Sequence, residues 1–314
     1  MRQCYWRFPG LLDVFRSRRP PDAPPSVTAP ELENHLASVI PASDKPCLVH
    51  SSVGGFGLRD KQGELLGGMA VAMWLLRTLR TCIGHEGTLC MPTHPNYKDD
   101  PGFMFDKSRL IFQYDANRTP SRVGLLTELF RRQKNSYRSL HPLSSLCANG
   151  PMAAQLISEN LAVDEPLPHG LNSAYHKVCV AEGTVVGIGL SLIKSMTILH
   201  VAEELADQAW PVSDFFYRRR FEIADPHGSQ QSIVVRERRP EFVRSLVLSQ
   251  VHRDLLTEGI LKQHHFQGIR IETAAAASVL QYFQDRQRKS TYPYLWPRVS
   301  RIYKTRQVDA IKTA

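Results

Sequence analysis

Apolar positions along this chain alternate between short unbroken runs and longer stretches at helical spacing, the rhythm of an α/β fold. Glu31 to Ile40 reads as a helix, and Pro46 to His50 as a short buried strand that runs into the glycine-rich segment Ser51-Ser52-Val53-Gly54-Gly55-Phe56-Gly57. An apolar helix over Gly67 to Cys82 follows, then a strand over Gly87 to Pro92 that the proline stops. A long polar loop through Asn117 comes next, long enough to predict a lid or a substrate-binding segment. Thr119-Pro120-Ser121 predicts a helix start, with Val123, Leu125, Leu126, Leu129 and Phe130 as the buried stripe.

Further on, Pro151 to Leu161 reads as a helix, Thr184 to Gly189 as an apolar strand, and Ser195 to Ala206 as one continuous helix. Phe215 to Ile223 and Ser232 to Arg238 alternate as a strand pair would. Glu241 to Leu261 and Ala274 to Arg288 read as helices flanking a strand at Gly268 to Glu272. The pattern predicts a three-layer α/β/α sandwich around a mixed sheet, with a β-rich insertion and C-terminal helices. Residues 19 to 29 are rich in proline and read as a linker, so residues 1–29 are expected to be a tail and residues 30–314 a single domain.

Composition narrows the class. The chain has 314 residues, 42% of them hydrophobic, and can bury a sizeable core. Six cysteines are scattered with no C-x-x-C pair, which argues against a disulfide framework or a zinc site and for reduced, packing thiols. No metal ligand set is expected. The N-terminal apolar residues are interrupted by Arg7, Pro9, Gly10, Asp13 and Arg16, so neither a signal peptide nor a membrane span is predicted, and a cytoplasmic location follows. Residues 5 to 16 read either as a strap or tail or as a membrane-surface segment, which leaves peripheral membrane association open. A homodimer is left open too.

The formal net charge is +9, and from residue 211 onward 18 Lys and Arg face 10 Asp and Glu. Such an excess favours an anionic partner. Aromatics interleave with arginines between Arg286 and Arg306, either as a solvated basic surface with packing rings or as stacking groups for sugars or bases. No nucleic-acid-binding motif accompanies them, so nucleic acid is not the expected partner.

Candidate chemistry centres on Thr197-Ile198-Leu199-His200-Val201-Ala202-Glu203-Glu204. Three residues apart on a helix, His200 and Glu203 are surface neighbours, and the carboxylate could hold the imidazole in the tautomer of a general base. Glu204 is the alternative partner.

Five segments occur in one order: HSSVGGFG at 50–57, GTLCMPTHP at 87–95, YDANRTPSRVGLLTELFRR at 114–132, RSLHPLSSLCANG at 138–150, and TILHVAEE at 197–204. The run resembles the aminoglycoside 3-N-acetyltransferase family. That resemblance implies an acetyl-coenzyme A-dependent N-acetyltransferase with His200 as base, Glu203 as its orienter, and direct transfer in a ternary complex. It also implies a second catalytic candidate in His141, which would polarise the thioester carbonyl or position the pantetheine arm; the alternative is a histidine that only satisfies a buried carbonyl. Ser51, Ser52, Val53 and Gly54 match the family's coenzyme loop, and Thr119, Ser121, Val123 and Gly124 its T-P-S segment; Arg138 and Ser139 would reach a phosphate.

The backbone N–H groups of residues 51 to 54 are the expected oxyanion donors. His94 follows a strand end toward the cleft, and Asp115 matches the family's acid before T-P-S; with Glu204 they are the substrate-side candidates. Asp99, Asp100 and Asp106 are further acids of the same loop. The basic balance then favours a small-molecule amino sugar that is itself anionic, linked to a nucleotide or lipid, in polysaccharide or glycoconjugate assembly. Two readings stand beside it: an aminoglycoside 3-N-acetyltransferase conferring antibiotic resistance, and a non-catalytic protein that binds polyanions or membrane surfaces.

Overall fold

The computed structural model of the chain describes residues 26–54, 56–95, 97, 111–212, 214–239, 242, 246–289 and 295. In chain order its first half comprises β1 (Ser26–Thr28), α1 (Ala29–Val39), β2 (Pro46–Ser51), β3 (Gly57–Arg59), α2 (Gly68–Ile83), β4 (Thr88–Pro92), β5 (Ile111–Asp115), α3 (Leu125–Arg131), β6 (Tyr137–Arg138), β7 (Leu146–Asn149) and α4 (Ala153–Ile157). The second half comprises α5 (Ala174–Val180), β8 (Thr184–Ile188), α6 (Leu192–Ser195), a 3₁₀ turn (Thr197–His200), α7 (Val201–Ala206), β9 (Phe216–Ala224), β10 (Gln230–Arg238), α8 (Leu248–Thr257), β11 (Leu261–Phe266), β12 (Ile269–Ala275) and α9 (Ala276–Arg288).

Seven strands form the main sheet in the order β11-β12-β8-β2-β4-β7-β6. At its centre β2 pairs in parallel with both β8 and β4, while the outer strands join antiparallel. Side chains alternate across the sheet. Cys47, Val49, Leu89, Met91, Val186 and Ile188 enter one core with α1, α2 and α3, whereas Leu48, Cys90 and Val185 enter the other with α5, α6, α7, α8 and α9. The expected α/β/α sandwich is the observed one. His50 falls on the Leu48 face by the same alternation, which directs it toward the layer that carries α6 and α7.

The expected β-rich insertion is a three-stranded sheet in which β9 pairs antiparallel with β10 and parallel with β5. β5 lies where only a loop was predicted, its alternating Phe112 and Tyr114 packed on Phe221 and Ile223. β1 also departs from expectation: Ser26–Thr28, assigned to the linker, pairs with β3. The helix expected over 241–261 is shorter, and Leu261–Phe266 forms β11 in register with β12. The helix predicted from Thr119-Pro120-Ser121 begins instead at Leu125, after Gly124 at φ +134°.

Among the described residues no helix is long and apolar enough to cross a membrane. Residues 5–16, Asp99, Asp100, Asp106, and Tyr292, Tyr294, Trp296 and Tyr303 lie outside the described residues.

Candidate functional site

The three parallel strands β8, β2 and β4 end at one edge of the sheet, and such a carboxyl edge is where α/β sheets place their ligands. Ser51, Ser52, Val53 and Gly54 leave β2 there. The Ser52 N–H donates to the Ile188 carbonyl at 2.9 Å and is already engaged, and Ser51 belongs to β2 and pairs with Ile188, so of the expected oxyanion donors Val53 and Gly54 lie beyond the strand. Gly189, at φ +72°, holds this loop close: a Cβ there would lie 2.4 Å from the Ser52 carbonyl oxygen and 2.5 Å from the Phe56 ring. Around Gly54 the space is open.

β8 leads into the base. Buried Glu272 of β12 accepts from the Leu192 N–H at 2.6 Å and so fixes the start of α6. The predicted continuous helix is broken: Met196, extended at ψ 106°, separates α6 from the 3₁₀ turn, and His200 closes that turn as α7 begins. The i, i+3 spacing survives the break. His200 Nδ1 lies 2.9 Å from Glu203 Oε1, with Glu203 buried and His200 22% exposed at its side chain, so the carboxylate is shut in while the imidazole can be reached. The Glu203 carboxylate, which only accepts, favours the proton on Nδ1 and the lone pair on Nε2, although Arg238 Nη1 also lies 2.7 Å from Nδ1.

Arg238, on β10, completes this group. Its Nη1 donates to Glu203 Oε1 at 2.7 Å, and its Nη2 lies 3.2 Å from His200 Nε2. Burial first, and the Arg238 charge second, push the His200 pKa below its ordinary value, which keeps the ring neutral. Burial alone would raise Glu203, but Arg238 and His200 outweigh it and hold the carboxyl ionised. Spacing offered no signal for Arg238, which is 38 residues from its partner.

Glu204, the alternative orienter, turns away from His200 and pairs with His169 instead, Oε1 to Nδ1 at 2.9 Å. His169 was passed over in the sequence; its ring centroid is 5.6 Å from that of His200 and 4.9 Å from that of Tyr175. The Tyr175 hydroxyl meets His94 Nε2 at 2.8 Å, so His94 joins the group through a tyrosine rather than facing an open cleft. Burial, followed by neighbouring His169 and His50, pushes His94 down to about 3.

Several predicted roles change. His141 is buried, its Nε2–H donating to the Pro166 carbonyl at 3.2 Å and its Nδ1 accepting from the Leu143 N–H at 3.4 Å. Both nitrogens are taken, and the buried-carbonyl alternative is what the geometry displays. Arg138 is 4% exposed and clamps the insertion to the main sheet: Nε donates to Ser145 Oγ at 3.0 Å, Nη1 to the Ala116 and Thr119 carbonyls, and Nη2 to the Thr93 carbonyl. A guanidinium so engaged does not reach a phosphate. Ser139 is buried and accepts from the Leu146 N–H at 3.0 Å.

Thr119 Oγ1 accepts from the Asp115 N–H, and Asp115 Oδ1 accepts from the Asn117 and Arg118 N–H groups, each at 2.8 Å, so both residues shape the turn after β5. Ser121 is buried against Thr127, Oγ to Oγ1 2.8 Å. Val123 and Gly124, by contrast, are exposed, and Gly124 has nothing within 4 Å of a would-be Cβ. The described cysteines are free and buried; burial pushes Cys47, Cys147 and Cys179 up to about 12, which removes thiolate chemistry at these three.

Several of the arginines that suggested an anionic ligand meet acids of the same chain. Arg236 forks onto Asp207, Arg218 pairs with Glu165, and Arg219 pairs with Glu237 beneath the Phe112 ring. With Asp164, Gln208, Phe216, Tyr217 and Arg239, the first four of these residues line an open cavity of about 940 Å³. It adjoins the base, since Arg236 and Arg238 are two apart on β10.

The sequence profile described as aminoglycoside 3-N-acetyltransferase matches residues 48–287. The aminoglycoside N(3)-acetyltransferase IV of a Salmonella species is 33% identical over 132 residues, 42% of this chain and 45% of that one, so the aligned segment spans about half the length of that relative. In fold, the chain is similar to the AAC-IIIb binary complex with CoASH, at a TM-score of 0.66 and 23% identity over 85% of this chain and 98% of that one. It is also similar to a variant of the aminoglycoside acetyltransferase AAC(3)-IVa in complex with apramycin, at a TM-score of 0.58 and 22% identity, covering 84% of this chain and 93% of that one. These matches overturn the expectation of an anionic amino sugar in glycoconjugate assembly. The chain belongs to the aminoglycoside 3-N-acetyltransferase family.

Proposed function

We propose that this protein transfers the acetyl group of acetyl-coenzyme A to an amine of an aminoglycoside, with His200 as general base. The observation that carries the reading is the 2.9 Å His200–Glu203 contact inside the family-matched segment, with the ring reachable and its carboxylate shut in.

An ammonium is no nucleophile, and it must shed a proton before it attacks a thioester. Neutral His200 accepts that proton at Nε2 once the Arg238 guanidinium has moved off it; Glu203 and Arg238 together set the charge around the ring. The Val53 and Gly54 N–H groups, in the loop that follows β2, would stabilise the oxyanion that forms. The open backbone at Gly54 and Gly124 suits the close approach of a pantetheine arm. Asp164, Glu165 and Asp207 give the adjoining cavity carboxylates suited to a polycation, and among the described residues the Asp164 carboxylate has no ion-pair partner.

Release of free thiol from acetyl-coenzyme A, followed across an aminoglycoside panel, tests the reading. Acceptor-dependent release, and lowered drug susceptibility in a sensitive host expressing the protein, are expected. Coenzyme binding without turnover on any aminoglycoside would contradict it.

A further inference from the structure

Acetylating an ammonium liberates two protons, and the products retain only one of them. The balance is R–NH₃⁺ plus acetyl thioester giving R–NH–acetyl, free thiol and H⁺: the C–N bond forms, the C–S bond breaks, one proton ends on sulfur and the other must leave. A single histidine can hold one proton at a time, so a second acceptor beside His200 changes what the site can do.

His169 is such an acceptor. His169 and Glu204 repeat the His200–Glu203 arrangement, Nδ1 to Oε1 at the same 2.9 Å, and Glu204 Oε2 also accepts the His169 backbone N–H. The carboxylate fixes the proton on Nδ1 and leaves the lone pair on Nε2. His169 is 6% exposed, and its Nε2 is buried with no hydrogen-bond partner. Buried polar nitrogens are nearly always satisfied, so an orphan here asks for an occupant. Glu204 is buried and its ion-pair contact is with His169, with Arg236 a more distant positive charge, which makes it the counter-charge an imidazolium at 169 would need. The other titratable groups facing the ring are His200 at the end of the 3₁₀ turn, Glu203 on α7, His94 after β4, His141 before β7 and Tyr175 on α5.

We propose that His169, held by Glu204, is a second base that takes the surplus proton of the acceptor ammonium. The first proton passes from the ammonium to His200 Nε2 and on, through one bridging water bonded to the unpartnered His169 Nε2, to that nitrogen, the two ring centroids being 5.6 Å apart. His200, neutral again, takes the second proton as the C–N bond forms and gives it to the departing sulfur; His169 returns the first to solvent. This step rests on the acetyltransferase reading above.

The test compares the parent with His169→Gln, which keeps a donor toward Glu204, in acetyl transfer to an aminoglycoside from neutral pH to beyond the pKa of the acceptor amine. Near neutrality the variant loses about tenfold or more in kcat/KM. Its rate then climbs with pH and converges on the parent once solvent has already deprotonated the amine. Superimposable pH curves overturn the proposal, and so does a loss by one constant factor at every pH, which is the mark of a structural role. A second measurement needs no turnover: imidazole NMR of the folded parent is expected to show His169 taking up a proton reversibly. A ring that stays unprotonated until acid unfolding overturns the proposal whatever the acceptor proves to be, while absent acetyl transfer by the parent speaks against the function alone.

Discussion

The guanidinium of Arg238 lies across the imidazole of His200, with Nη1 2.7 Å from Nδ1 and Nη2 3.2 Å from Nε2. A strand of the insertion thereby caps the base that a turn of the main domain presents. The cap does two opposed things: its charge disfavours imidazolium, and its N–H covers the lone pair that must accept a proton.

Replacing it separates the two. In Arg238→Gln the His200 pKa rises, because one of the causes that lowers it is gone, although burial still acts. The base must be neutral to work, so the acidic limb of kcat/KM moves to higher pH and the loss is greatest at mildly acidic pH. A pH profile of the variant checks the direction; a limb that moves to lower pH would contradict it.

Arg138 makes the contrary case, a basic residue whose work is structural. Arg138→Gln leaves the carbonyls of Ala116 and Thr119 without donors and the Thr93 carbonyl with the Ser145 hydroxyl alone, at about 1–3 kcal/mol for each group left unsatisfied. Denaturant unfolding is expected to register that loss, while the KM for acetyl-coenzyme A in the folded fraction stays near the parent value. A raised KM with unchanged stability would restore the phosphate-binding role.

How much of this was legible in the sequence varied with the range of the interaction. The strand-loop-helix rhythm and the His200–Glu203 pair are local, and periodicity exposes them. β11 was hidden because Leu261–Phe266, with Lys262, Gln263, His264 and His265, carries no apolar alternation; its pairing to β12 alone makes it a strand. His169 and Arg238 reach the site from 35 and 38 residues away, distances at which spacing carries no information. The run of arginines misled for the same reason, since Arg219, Arg236 and Arg238 meet their acids only after folding.

Acid stability follows from two buried histidines, His50 and His141, and the half-buried His94. Burial pushes His50 and His141 down to about 4 and His94 to about 3, all below the 6.5 of an ordinary imidazole. Groups depressed in the folded state stabilise it above the unfolded pKa and lose that contribution as pH falls toward the folded value. Stability should therefore begin to fall near pH 6.5, above the carboxylate range, with a single such histidine contributing on the order of 3 kcal/mol. Denaturant midpoints across this interval check it; a flat profile down to the carboxylate range would count against neutral burial.

Gly189 tests the loop after β2. A methyl group there would press on the Ser52 carbonyl and the Phe56 ring at a positive φ, so Gly189→Ala is expected to lower stability by about 1 kcal/mol or more and to weaken coenzyme binding together with it. Thermal shift with and without acetyl-coenzyme A reads both effects.

The assignment of His200 as the base is tested most directly by its removal. In His200→Ala, thiol release from acetyl-coenzyme A with an aminoglycoside acceptor is expected to fall by about 10²- to 10⁴-fold, while the melting-temperature rise on adding the coenzyme persists. Turnover equal to the parent's, in a variant that binds coenzyme normally, would contradict the account.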